Sequence, residues 1–193
     1  GPAMTRRLLA AVACLAVLAT VQPAHANISA DHWDRTTVVI QTMKAGTSGE
    51  MTWQHDRINN MRAAMGSAMS IVEGGCQVNM PCIEVYWDFY GTMWGSGVVG
   101  LETDACLCST NLWCRYNGTT DLTYHTTIQF NRSYLDPMTT YDWQSVVCHE
   151  LGHSMGLQHA SGATCMQASG TAYITYSSDE ITEMRNEYGP IPR

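Results

Sequence analysis

The chain is short of positive charge. Lys and Arg number 10 of its 193 residues against 17 Asp and Glu, a formal charge of −7. That balance disfavours nucleic acid and anionic membrane as partners. It also lacks any internal period, any long Pro- or Ser-rich linker and any block of like charge, so residues 27–193 are expected to form a single domain. No apolar run is long enough to span a bilayer. Leu8 to Val21 is the longest, and its 14 residues reach about 21 Å as a helix against about 30 Å of hydrocarbon.

That run reads instead as part of an export signal. Arg6 and Arg7 precede it, and Gln22, Pro23 and the small-residue triplet Ala24-His25-Ala26 close it, the pattern of a secretory signal peptide cut after Ala26. A lipoprotein anchor at Cys14 would leave only about six apolar residues before it, and the rest of a twin-arginine signature is missing. Gly1 to Ala3, ahead of Met4, read as a cleavage scar from an expression tag. The expected organisation is therefore scar 1–3, signal peptide 4–26 and domain 27–193, with the product secreted and free of the membrane. Losing Arg6 and Arg7 takes the charge from −7 to −9. Seven cysteines remain in the domain, at 76, 82, 106, 108, 114, 148 and 165. In an exported protein they imply up to three disulfides with one thiol over, and the paired C-x-x-C units of a structural zinc site are absent. Three N-x-S/T sequons stand at Asn27, Asn117 and Asn131.

Periodicity marks the elements. Thr36 to Gln41 is β-branched and short, a predicted strand; Ile83 to Phe89 and Thr126 to Asn131 alternate and are predicted strands too. Ile58, Met61, Met65, Ala68, Met69 and Val72 recur at helical spacing, which predicts one amphipathic helix ended by Gly74-Gly75, its methionines packed in the core. GSGVVG, Gly95 to Gly100, fits no phosphate-loop motif and reads as an edge strand or a loop. A closing helix capped by Ser178 or Asp179 carries Ile181, Met184, Arg185 and Tyr188 to the stop at Gly189-Pro190.

The densest chemistry is HELGHSMGLQH, residues 149 to 159, which holds three of the seven histidines. Asp142 as N-cap, with Val146, Val147, Leu151 and Met155 for packing and Gly156 as the left-handed stop, predicts a helix over this region. His149 and His153 are four apart, so both imidazoles leave one helical face. A tetrahedral zinc site needs more ligands than two side chains of a straight helix supply. Gly156 permits a sharp turn that brings in His159 as the third, and the remaining position stays open to solvent, the pattern of a catalytic site. Glu150 is then placed as the general base that takes a proton from solvent and delivers it to a leaving amine. A lone histidine on an apolar face is usually core, but the Gly and His beyond HExxH make a chance match about 330-fold rarer at this chain's frequencies.

On these residues the sequence resembles the metzincin clan of zinc peptidases. Its signature HExxHxxGxxH is met at His149, Glu150, His153, Gly156 and His159, and Cys165-Met166 lies where its Met-turn would. Within the clan it is similar to the matrixins and their small bacterial relatives, from TTIQFN through SVVCHELGHSMGLQH to SSDEITEMRNEYG. The resemblance implies an α+β (mixed α/β) fold, with a twisted mixed sheet, about three helices and a zinc cleft between a larger N-terminal and a smaller C-terminal subdomain. It further implies a hydrophobic floor at Met166, and peptide substrate lying extended along an edge strand, for which GSGVVG is the candidate. Cys148 beside a ligand and Cys165 beside the Met-turn are expected to bridge. Cys76 is expected to pair with Cys82, and Cys114 with Cys106 or Cys108. Matrixins generally bind calcium; no acidic array marks a calcium loop here, and Ca2+ stays open beside the single Zn2+. No PRCGxPD-type latency segment appears, and no Tyr stands two residues after Met166 as a further ligand. Tyr173 and Tyr176 are expected to pack rather than assist an oxyanion.

The expected function is that of a secreted, monomeric zinc endopeptidase. An exported zinc amidase acting on small peptides or peptidoglycan, and a catalytically silent zinc-containing binding protein, are the alternatives. Glu150 speaks against the second, since a purely structural site needs no base.

Overall fold

A computed structural model describes residues 33, 36–77, 80–93, 100–104, 125–134, 138–168 and 173–189, with 101–104 and 125 as backbone only. The expected signal peptide, Gly95 to Val99, Gln167's neighbours at 169–172 and the third cysteine pairing lie outside these residues. Elements follow in the order β1 (Thr37–Lys44), α1 (Ser48–Met65), β2 (Ser70–Glu73), β3 (Cys82–Asp88), β4 (Gly100–Asp104), β5 (His125–Asn131), α2 (Thr140–Ser154) and α3 (Ser178–Tyr188). The fold is mixed α/β, and the described residues form three α-helices and one five-stranded sheet of order β2-β1-β3-β5-β4. The first four strands are parallel, and β4 closes one edge antiparallel to β5.

The strands follow the two-residue alternation of the sequence. Ile83, Val85 and Trp87 are buried, and Glu84, Tyr86 and Asp88 between them are half-exposed. α1 and α2 pack on each other against the buried face. Trp87 is the pivot: its ring centroid lies 4.3 Å from that of Phe130 and 5.7 Å from that of Trp143 on α2. Its indole N–H donates to Gln54 Oε1 on α1 at 2.8 Å, and Gln54 Nε2 donates to Thr42 on β1. Burial of the indole thus leaves no orphaned donor there. Among the described residues no helix is long and apolar enough to cross a membrane.

Three helix boundaries differ from those expected from the sequence. The helix carrying Ile58, Met61 and Met65 stops at Gly66, whose φ is 57°, not at Gly74-Gly75. Ala68 and Met69 are buried in the connection, and Ile71 and Val72 belong to β2, paired with β1. One core receives both elements, so the apolar spacing runs on through the turn although the backbone changes. At α2 the N-cap is Thr139 rather than Asp142: Asp142 is the third helical residue, and its carboxylate accepts from Thr139 N at 2.8 Å in a capping box. At α3 the cap is Ser177, one residue before the expected Ser178 or Asp179. The sequon at Asn131 is fully buried, its amide donating to Gly91 O and accepting from Tyr90 N, so it is a loop anchor and no acceptor for glycan.

Candidate metal centre

Local geometry brings His149, His153 and His159 together as the spacing requires. α2 ends in a Schellman motif: Leu157 N donates to Gly152 O at 3.0 Å and Gly156 N to His153 O at 2.7 Å, with Gly156 at φ 82°. The left-handed residue turns the chain back across the helix end. One ligating atom from each of the three histidines then falls within 4.8 Å of the others. The ring centroids form a near-equilateral triangle with sides of 4.5, 5.1 and 4.9 Å.

Tautomers follow from the acceptors around the rings. His149 Nδ1 meets Cys165 O at 2.8 Å and His153 Nδ1 meets Leu157 O at 2.7 Å. A carbonyl only accepts, so both Nδ1 atoms carry hydrogen and both Nε2 atoms present lone pairs. Burial pushes His149 down to about 4, with a backbone bond to Cys165 opposing and His153 and His159 adding to the shift, so the ring is neutral at neutral pH. The two Nε2 atoms nevertheless stand 2.9 Å apart. Two lone pairs at that separation repel unless a cation lies between them. At a zinc–nitrogen distance of about 2.05 Å such a separation subtends roughly 90°, somewhat tighter than tetrahedral, and a shift of a few tenths of an ångström opens it. The donor set and its geometry therefore fit a divalent metal held by three imidazoles.

A second layer of contacts fixes this cluster from below. Cys148 and Cys165 form a disulfide, Cα to Cα 6.0 Å, that joins α2 to the segment after His159. Cys165 N donates to Thr175 O at 2.9 Å, and Ala160 N donates to Met166 O at 2.9 Å, so the same segment fixes the chain on both sides of the histidines. Met166 is fully buried, and its sulfur lies where a Cβ on Gly152 would stand, directly against the helical turn that carries His153. Thr164 accepts from Met166 N and donates to the buried Glu180 at the start of α3. Tyr176 is buried, which pushes its phenol well above the ordinary range and keeps it a donor, here to Cys148 O at 2.8 Å. Tyr176 thus packs, as expected, and Tyr173 is exposed. Cys76 and Cys82 form the other described disulfide, at the head of β3.

Glu150 is 6% exposed and lies between α2 and the edge strand, its carboxylate beside Gly100. Of the proposed substrate strand GSGVVG, Gly100 is the one described residue, and it belongs to β4, which runs on to Asp104. Gly152, Thr164 and Glu180 are contributors that motif reasoning passes over. A glycine within the last turn of a helix, ahead of its stop at Gly156, was the one visible sign, because it costs stability unless something needs the space.

Against known proteins, the chain matches no family model and no curated sequence.

Proposed function

We propose that this chain is a secreted zinc-dependent endopeptidase of the metzincin clan and matrixin type, acting on peptide bonds. The observation that carries the reading is the convergence of three imidazoles, two of them with Nε2 lone pairs facing each other at 2.9 Å, one residue away from a buried carboxylate. His149, His153 and His159 would hold the ion, and Met166 would form the floor beneath them. Bound there, zinc supplies Lewis acidity, which makes solvent nucleophilic near neutral pH and polarises a scissile carbonyl. The protein supplies the rest. Carbonyls of Cys165 and Leu157 orient two of the ligands and raise their basicity. Glu150 takes a proton from attacking solvent and passes it to the departing amine, so one carboxylate serves both transfers. Low exposure at Glu150 limits competing solvation and strengthens that exchange. Among the described residues β4 is an edge strand, and an extended peptide would pair with its main chain there. Two disulfides among the described residues suit an oxidising, extracellular setting.

The test is cleavage of a proteome-derived peptide library by the protein as purified, after chelation and after readdition of zinc. Cleavage within peptides should vanish on chelation and return with zinc. Glu150→Ala should retain the metal and lose about 100- to 10,000-fold in turnover, the worth of a positioned base. Cleavage indifferent to chelator, or full turnover in Glu150→Ala, would overturn the proposal.

A further inference from the structure

Gly100 opens the edge strand and pairs with Phe130 of β5. Its backbone does not occupy the left-handed region, so φ alone does not call for glycine here. Space does. A Cβ at this position would stand 2.6 Å from Glu150 Oε1, 2.9 Å from Glu150 Cγ and 2.9 Å from Val146 Cγ1, against about 3.5 to 4.0 Å for carbon atoms in comfortable contact. Val146 and Glu150 sit one helical turn apart on α2, and both are 6% exposed. The bare backbone of β4 is seated in the notch between them.

We propose that Gly100 is a positioning residue for Glu150: the missing side chain lets the edge strand press the carboxylate into one pose, and that pose sets the rate of proton transfer. The inference rests on the hydrolytic reading above. The parts around the notch differ in how easily they yield. The β4 backbone is hydrogen-bonded to β5 along its length. Val146 is β-branched, with a stiff χ1 inside a helix. Glu150 has the flexible chain, so an added methyl at position 100 moves the carboxylate first. A displacement near 1 Å at a reacting group costs on the order of 100-fold in rate.

The experiment compares the parent, Gly100→Ala and Gly100→Ala/Val146→Ala, all loaded with zinc, by metal content, crystal structure and peptide-cleavage kinetics. In Gly100→Ala, zinc content should be unchanged, KM should move less than about threefold, kcat should fall about 10- to 100-fold, and the Glu150 carboxylate should be visibly displaced. Removing the Val146 methyls gives the new side chain room, so the double variant should regain most of the lost kcat and return Glu150 towards its original pose; a general loss of folding would not be repaired this way. A Gly100→Ala crystal structure with Glu150 in its original pose overturns the inference, as does an unchanged kcat in zinc-loaded protein. Should the parent itself show no chelator-sensitive cleavage, the hydrolytic reading fails on that result, and the claim that Gly100 sets the rate falls with it, while the carboxylate's position in the variant decides separately whether Gly100 holds its pose.

Discussion

A glycine inside a helix costs up to about 1 kcal/mol relative to alanine, and Gly152 accepts part of that cost in the last turn of α2. The reason is Met166: its sulfur fills the volume a Cβ would need, and Tyr176 Cε1 would stand 3.0 Å from that atom. Propensity predicts that Gly152→Ala stabilises; packing predicts the opposite, by about 1 to 3 kcal/mol for an overfilled core. Thermal unfolding should therefore show a lower Tm for the variant, and an increase would mean that Met166 relaxes freely. The position of this glycine was legible in the sequence. Its partner, fourteen residues further on in the chain, was not, because nothing in local spacing says which buried side chain approaches a helix face.

Helix ends were partly legible. Each of the three helices opens with a capping box, Thr47 with Glu50, Thr139 with Asp142 and Ser177 with Glu180, a four-residue pattern readable without tertiary context. Apolar periodicity taken alone set the boundaries less well, carrying α1 through Gly66 into β2 and starting α2 at Asp142. The strands at Thr36, Ile83 and Thr126 stand within a few residues of β1, β3 and β5, since β-branched alternation is itself local. The bridge between α2 and the segment after His159 has an energetic consequence at this scale. Cys148 and Cys165 close a loop with a sequence separation of 17, and constraining such a loop in the unfolded chain is worth about 3 kcal/mol. Cys148→Ser/Cys165→Ser should lower unfolding free energy by about that amount in denaturant titration. Since Cys165 O also orients His149, zinc bound as proposed should be lost from this variant at about 10- to 100-fold lower chelator concentration. Equal zinc retention in the two proteins would show that the bridge does not support the ligand.

Across the molecule, α1 and the 3-10 turn Arg132–Tyr134 that follows β5 are joined by an ion pair far apart in sequence. Arg132 Nε donates to Glu50 Oε1 at 2.8 Å, with the Glu50 side chain 1% and the Arg132 side chain 19% exposed. The other Glu50 oxygen accepts from Thr47 N at the α1 N-cap, so one carboxylate serves the helix start and the turn that leaves β5. Arg132→Met leaves that carboxylate buried without its partner, and unfolding should become easier by about 3 to 5 kcal/mol. Glu50→Gln/Arg132→Met should recover much of the loss; a single variant as stable as the parent would show the pair to be dispensable.

What the sequence determined by itself is the cluster of three histidines. Two histidines one turn apart and a glycine that ends their helix are short-range facts, and their geometry follows from helical pitch and from the backbone freedom of Gly156. The tertiary structure alone decided what surrounds that cluster: the strand order, the Cys165 carbonyl on His149, Met166 against Gly152 and the bare edge of Gly100 against Glu150. Those contacts join residues distant in the chain, and they form because surfaces of matching shape exclude water together, a property of the packed molecule that no local pattern of residues encodes.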